Sequence, residues 1–249
     1  MDTATDFGEI PRRLPGQLRG GARLVLHSYQ AAALVRGQRA EPARGSQRRR
    51  PAILGLFGFA SLLNTIREGA ADHDPYARWW LKRIDEALSR AEEELLDLQN
   101  VLNEECDKDQ RYSLNVCQSV RPAVFELRFA HPQAYRAARL LATYDLFVLE
   151  AMAFRHHALL PAAFVTELLR DAARIVRRTY LSPTGYRRTG VRYSDLRADN
   201  SLAEQAHALM GPLPTDWYED RSDDGESDEE ASSESTSEPQ NSSVLTAVQ

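Results

Sequence analysis

The residues of this sequence best suited to binding chemistry are arginines, which cluster between residues 170 and 197. A guanidinium group donates paired hydrogen bonds to phosphate and to guanine. Only Asp171 and Asp195 oppose the arginines of this stretch, so its composition favours contact with nucleic acid. The arginines are Arg170, Arg174, Arg177, Arg178, Arg187, Arg188, Arg192 and Arg197.

The spacing within this stretch supports a common surface. The first four arginines follow one another at steps of four, three and one positions, which places them on one face of a helix. Tyr186 and Tyr193 follow among the later arginines, and their rings could lie against a sugar or a base. The alternative is that these arginines are solvated or paired with carboxylates of the same chain.

Two further groups of residues suit a contact with duplex DNA. Arg48, Arg49 and Arg50 end a segment without an apolar pattern, which predicts an exposed basic loop that contacts phosphates. In the strand predicted over 23–27, Leu24 and Leu26 share one side, and Arg23, Val25 and His27 lie on the other side, from which Arg23 and His27 can reach a groove.

Other chemistries lack their residues. The sequence has no Walker loop and no GxGxxG, GxSxG or HExxH motif. The adjacent His156 and His157 point in different directions on a helix, and Cys106 and Cys117 have no histidine at a ligand spacing. We therefore predict that the protein is not an enzyme and that it binds no metal and no cofactor.

Composition sets broad limits. The chain has 249 residues, a net charge of −5 and 43% hydrophobic residues, which suffices for a sizeable core. Residues 216–249 hold 11 acidic residues and one arginine, so residues 1–215 carry about +5. The longest apolar run, over 52–63, is too short to span a membrane. No signal peptide is evident, so a cytoplasmic location is expected.

The periodicities predict a mainly helical bundle with a small two-stranded β element. Strands are expected over 23–27 and 122–129, and the two can pair. Asp72 or Asp74 is expected to cap the longest helix. Helices are predicted over 29–35, 52–69 (central and buried), 75–105, 132–157, 161–180 and 194–210.

The longest predicted helix carries a heptad seam of apolar residues, which either packs inside the same chain or joins two copies. Glu92, Glu93 and Glu94 lie on the same helix and are expected to form a solvated face. The seam consists of Leu81, Ile84, Leu88, Ala91, Leu95, Leu98 and Leu102.

The organisation along the chain follows from composition. Residues 1–21 are expected to be a flexible leader, 22–214 one mainly helical domain, and 215–249 a disordered acidic tail. The tail either serves solubility or competes with phosphates for the arginines of the domain.

Several stretches resemble the AcaB-like family of proteins encoded on integrating conjugative elements and conjugative plasmids. They are HSYQAAAL (27–34), DHDPYARWWL (72–81), FAHPQAYRAARLLATYDLF (129–147) and TGYRRTGVRYSDLRADN (184–200). The resemblance covers about residues 20–215. It implies a transcriptional regulator with ribbon-helix-helix character, in which Arg23, Val25 and His27 face the major groove and the strands of two subunits pair.

Two functional hypotheses result. The first is a DNA-binding regulator of a bacterial integrating conjugative element that binds duplex DNA as a homodimer. The alternative is a non-enzymatic helical adaptor of the conjugation or element-maintenance machinery, which binds a protein partner through the long heptad helix.

Overall fold

The computed structural model describes residues 21–40, 51–106 and 117–218. Helices dominate, as the periodicities predict, and two small antiparallel sheets accompany them. The strands are β1 (Ala22–Leu26), β2 (Gly37–Gln38), β3 (Ile53–Leu54) and β4 (Ala123–Leu127). The α-helices are α1 (Tyr29–Arg36), α2 (Leu56–Ala71), α3 (Pro75–Cys106), α4 (Pro132–His156), α5 (Ala162–Tyr180), α6 (Tyr193–Ala198) and α7 (Ser201–Met210).

The chain divides into two compact units. Unit 1 comprises residues 1–65 and 82–184, and unit 2 comprises residues 66–81 and 185–249. The boundary falls within α2 and within α3. The expectation of one domain over 22–214 stays a prediction, and each unit is described by itself.

Helix α4 lies at the centre of unit 1, where it contacts α1, α5 and β1. The sequence analysis assigned the central position to α2, but α4 is buried around more of its circumference. Tyr180 at the end of α5 is fully buried, and its hydroxyl donates to the carbonyl of Ala137 at 3.0 Å. The ring of Phe59 on α2 lies 5.6 Å from the Tyr180 ring.

The predicted helix over 52–69 begins later than expected. Ile53 and Leu54 form β3, which pairs antiparallel with β2 in the register Gly37 with Leu54. Gly37 has φ +72°, and a Cβ there would collide with the backbone of residues 53 and 55. Only glycine fits this close approach, and residues 53 and 54 are paired as a strand, so α2 begins at Leu56.

The heptad seam of α3 is buried inside the chain. Ile84, Leu88 and Ala91 are 0% exposed, and Leu95 is 1% exposed. Two acidic residues beside the seam form ion pairs within unit 1. Glu92 pairs with Arg136 at 2.8 Å, and Glu94 pairs with Arg178 at 2.5 Å. Packing within the same chain is therefore confirmed. The exposed acidic face is confirmed for Glu92 and Glu93, whereas Glu94 is half-buried, and Glu92 and Glu94 form ion pairs that the sequence did not predict.

Unit 2 contains the start of α3 together with α6 and α7. The predicted single helix over 194–210 is two helices, because Asp199 adopts the left-handed region at φ +46° and ends α6. The side chain of Asn200 then caps α7 by accepting from the N–H groups of Leu202 and Ala203. The N-cap of α6 is Arg192, two residues before the predicted start, and its backbone N–H donates to the Asp195 carboxylate at 2.9 Å.

The described chain extends past residue 214. Thr215–Trp217 forms a 3₁₀ turn, and the indole N–H of Trp217 donates to the carbonyl of Pro75 at 3.3 Å. Residues 215–218 therefore belong to the folded part, although they were assigned to the tail. Residues 1–20 of the predicted leader, residues 41–50, which include the predicted basic loop, and residues 219–249 of the predicted tail lie outside the described residues.

Candidate nucleic-acid interface

The two-stranded ribbon of β1 and β4 presents one face outward. The strands pair antiparallel with Arg23 opposite Glu126 and Val25 opposite Val124. Leu24 and Leu26 are buried, whereas Val25 and Val124 are 43% and 54% exposed. The predicted strands and their pairing are confirmed, side chains alternate between inward-facing and outward-facing in both, and the outward face carries Arg23, Val25, Val124, Glu126 and Arg128.

The pairing of the ribbon lies within one chain. The resemblance implied that the strands of two subunits pair, whereas here β1 takes β4 of its own chain as its partner. Pairing between subunits stays a prediction. Arg128 and Glu126 form an ion pair at 3.2 Å, and both side chains are largely exposed. Such pairs contribute little to stability, so Arg128 can exchange its partner at low cost.

His27 is held more tightly than a free recognition side chain. Its Nδ1 accepts a hydrogen bond from the N–H of Ser119 at 3.1 Å. Its own backbone N–H and that of Ser28 donate to the buried carboxylate of Asp145, each at 2.8 Å. Asp145 on α4 therefore fixes the end of β1 and the start of α1, which sets the position of the ribbon.

Helix α5 exposes most of its predicted arginines. Its buried residues recur every three or four positions, and Arg170, Arg174 and Arg178 lie on the opposite side. Arg174 pairs with Asp171 at 2.7 Å and Arg178 with Glu94, which confirms the acid-paired alternative for these two. Within the described residues, Arg170 and the half-buried Arg177 form no ion pair.

In unit 2, Asp74 organises the arginine-rich loop. The carboxylate is 1% exposed and accepts from the N–H of Tyr76 at 2.9 Å, so the predicted cap of α3 is confirmed. Its Oδ2 also accepts from the Tyr186 hydroxyl at 3.2 Å. The N–H of Thr189 at 3.2 Å and its hydroxyl at 3.0 Å donate to the same oxygen. Arg187 and Arg188, which lie between these anchors, are both exposed.

The tyrosines of this loop are core residues. Tyr186 is 7% exposed and Tyr193 is 0% exposed, so the expectation that their rings stack on a sugar or a base is wrong. Burial and the neighbouring Asp74 raise the pKa of Tyr186 above its usual value. The prediction failed because the pattern of tyrosines between arginines also fits an exposed basic loop whose tyrosines pack into the core.

Paired carboxylates neutralise part of the basic surface, and the predicted contacts are divided between the two units. Arg188 pairs with Asp72. The described residues together carry a net charge of only about +1, and residues 41–50 contribute a further +3. Arg48, Arg49 and Arg50 lie in that segment, outside the described residues. The other predicted contacts fall on unit 1 (Arg23, Val25, His27, Arg170, Arg174, Arg177, Arg178) and on unit 2 (Arg187, Arg188, Arg192).

Three contributors to the site, Val124, Arg128 and Asp74, are not among the residues that the sequence predicted for it. Val124 and Arg128 share the outward face of the ribbon, and the alternation over 122–129 already placed them on one side. Asp74 had been interpreted only as a cap, since its contacts with residues 186 and 189 join positions more than 110 apart. No local pattern signals such a contact.

The described residues lack two further features. No helix among them combines the length and the apolar character that crossing a membrane requires. Likewise, within the described ranges, histidine, cysteine, aspartate and glutamate side chains form no cluster of three suited to a metal ion.

The fold and the ribbon define a class of mainly helical proteins with a small antiparallel sheet, and a solved structure shares it. The crystal structure of selenomethionine-containing AcaB from uropathogenic E. coli matches with a TM-score of 0.53. The match covers 81% of this chain and 97% of that chain at 14% identity, so it shows a common fold. No curated protein matches this sequence.

The family assignment rests on a match of the amino-acid sequence. The family described as "Transcriptional regulator AcaB" matches residues 14–225, which is most of the chain. The protein therefore belongs to the AcaB family of transcriptional regulators, as the resemblance indicated.

Proposed function

We propose that this protein regulates transcription by binding duplex DNA as a dimer, in the bacterial cytoplasm, for an integrating conjugative element. Membership in the AcaB family supports a regulatory role. The observation that carries the DNA-binding part is the outward face of the β1–β4 ribbon, which combines exposed arginines with exposed small apolar side chains.

A two-stranded ribbon has the width that the major groove of B-DNA admits. Arg23 and Arg128 can donate two hydrogen bonds to guanine, while Val25 and Val124 can contact the methyl group of thymine. His27 retains Nε2 as a donor, because its Nδ1 accepts from Ser119. These five side chains are therefore assigned to base recognition.

Arginines away from the ribbon are assigned to the phosphates. Arg170 and Arg177 form no ion pair within the described chain and suit this role directly. Phosphate would replace a carboxylate at the exposed Arg174, Arg178 and Arg188, whose own pairs are weak. Arg187, Arg192 and the segment Arg48 to Arg50 complete the proposed set.

Fluorescence anisotropy of labelled duplex DNA with the full-length protein tests the proposal. We expect affinity to fall linearly on a log–log plot against salt, by roughly 0.9 for each phosphate contacted. The double variant Arg23→Gln with Arg128→Gln should weaken binding roughly tenfold and change the order of preferred sequences. Arg170→Gln with Arg177→Gln should weaken all sequences alike.

Arg139→Gln is the matched control, because Arg139 is exposed on α4 of the same unit and has no assigned role. It should leave the affinity unchanged. If no duplex binds even at low salt, the proposed function is wrong. If duplex binds but the ribbon variant behaves like the control, DNA binding stands and the ribbon is the wrong surface.

The adaptor hypothesis loses its basis. It depended on an available heptad seam, and that seam is buried within the chain. The proposed dimer must therefore form through another surface, and sedimentation of the protein with and without duplex measures the oligomeric state. Two subunits are expected to occupy half-sites about one helical turn apart.

A further inference from the structure

We propose that the acidic segment 219–249 binds the arginines of residues 187–197 in its own unit and competes there with DNA. The competition rests on the proposed function, whereas the contact itself does not. The segment holds ten acidic residues against Arg221. Its charge is therefore opposite to that of the arginine-rich loop.

The segment begins at a fixed point in unit 2. Trp217 donates from its indole N–H to the carbonyl of Pro75, and its ring lies 5.0 Å from the ring of Trp79. Tyr218 is the last described residue. The acidic segment is therefore joined to described residues that lie next to the first turn of α3.

The arginine-rich loop is held at the same turn. Pro75 follows Asp74, and Asp74 accepts hydrogen bonds from Tyr186 and Thr189. An extended chain covers about 3.3 to 3.6 Å per residue, so the first few acidic residues after Tyr218 can reach the loop. Such a short connection gives an effective concentration in the millimolar range.

The loop and α6 offer cations that suit these carboxylates. Arg187, Arg192 and Arg197 are exposed, and none forms an ion pair within the described residues. Asp195, the one acidic residue between positions 187 and 197, already accepts from the N–H of Arg192 and from Asn200. The segment 187–197 therefore has a net charge of +3.

Each exposed pair would be weak, but the pairs share one connection. If the acidic segment occupies the arginines about nine-tenths of the time, the apparent affinity for DNA falls about tenfold. Specific contacts from the ribbon would be unaffected. The acidic segment thus weakens binding to DNA that the protein contacts only through phosphates.

The test uses the full-length chain with its acidic residues changed to the matching amides. The control changes the serines of 219–249 to alanine, which preserves both length and charge. A third variant combines Arg187→Gln, Arg192→Gln and Arg197→Gln. The acidic residues changed are Glu219, Asp220, Asp223, Asp224, Glu226, Asp228, Glu229, Glu230, Glu234 and Glu238.

The first readout is the backbone amide NMR spectrum without DNA. We expect the amide variant to shift signals of residues 185–198, the serine control to leave them unchanged, and about 1 M salt to abolish the difference. When the arginine variant also carries the amide substitutions, its signals at residues 185–198 should match those of the arginine variant alone. Unchanged signals at 185–198, or shifts only elsewhere, would overturn the proposed contact.

The second readout is anisotropy with duplex of random sequence. The amide variant should bind about tenfold more tightly than the wild type at low salt, and the serine control should match the wild type. Equal affinities of amide variant and wild type would overturn the competition while the proposed function stands. If neither protein binds duplex, the proposed function fails, and the NMR readout still decides the contact.

Discussion

At the scale of single residues, two buried carboxylates position the charged surfaces. Asp145 and Asp74 are 2% and 1% exposed, and each accepts two or more hydrogen bonds from distant parts of the chain. Asp145 holds the end of β1, whereas Asp74 holds the loop that carries Arg187 and Arg188. Neither carboxylate faces solvent, so both act by fixing backbone position.

The contact of Gly69 with Tyr186 gives a prediction at this scale. A Cβ at residue 69 would collide with the Tyr186 hydroxyl, which donates to Asp74. Gly69→Ala should therefore lower the free energy of unfolding by roughly 1–3 kcal/mol. Tyr186→Phe should cost a similar amount, because Asp74 loses a donor.

The double variant separates the two effects. Phenylalanine at residue 186 leaves space for the methyl group that Gly69→Ala introduces. The double variant should therefore lose less unfolding free energy than the two single variants together. Urea denaturation of the four proteins measures this. Additive costs would contradict the close contact.

At the scale of elements, the sequence predicted most of the helices and their faces. The spacing of 3 and 4 residues in α3 and α5 matches the burial that the structure shows. It misplaced boundaries where a side chain or a strand partner intervened. Asn200 divides the last predicted helix, and the pairing of β2 with β3 shortens α2.

The buried seam of α3 predicts the effect of its leucines. Leu88→Ala should lower the free energy of unfolding by roughly 2–5 kcal/mol, because it leaves a cavity in unit 1. The loss should be the same at low and high protein concentration. Leu96→Ala is the matched control, since Leu96 is 60% exposed on the same helix.

Equilibrium denaturation at two protein concentrations checks this prediction. Leu96→Ala should change stability little. A loss for Leu88→Ala that depends on concentration would indicate that the seam joins two chains instead.

At the scale of the whole molecule, buried tyrosines make stability depend on alkaline pH. Burial is the largest cause that raises the pKa of Tyr76, to about 12, and of Tyr144, Tyr180 and Tyr186. The folded protein then keeps protons that the unfolded chain releases near pH 10. The stability contributed by these tyrosines should therefore be complete below pH 10, and it should be lost as the pH rises through 12.

For Tyr76 alone, the loss by pH 11.5 should be on the order of 1–2 kcal/mol, because the hydroxyl is only partly buried and the pH has not yet passed 12. Urea midpoints at pH 9 and pH 11.5 measure it, and Tyr76→Phe should show a smaller decline than the wild type. An equal decline in both proteins would contradict the raised pKa.

The candidate site could be predicted only in part. The alternation over 23–27 and 122–129 was sufficient to assign Arg23 and Val25 to an exposed face. The fate of each arginine was not predictable, because its partner is distant in sequence. Arg178 pairs with a carboxylate 84 residues away, and Arg188 with one 116 residues away.

The sequence alone determined the mainly helical class, the inward faces of the longest elements and the separation of charge along the chain. These properties follow from spacing over a few residues, which local backbone geometry converts into faces. The tertiary structure decided which of the described arginines form ion pairs and that Tyr186 and Tyr193 lie in the core. Burial and ion pairing depend on residues that only folding brings together, so no local pattern encodes them.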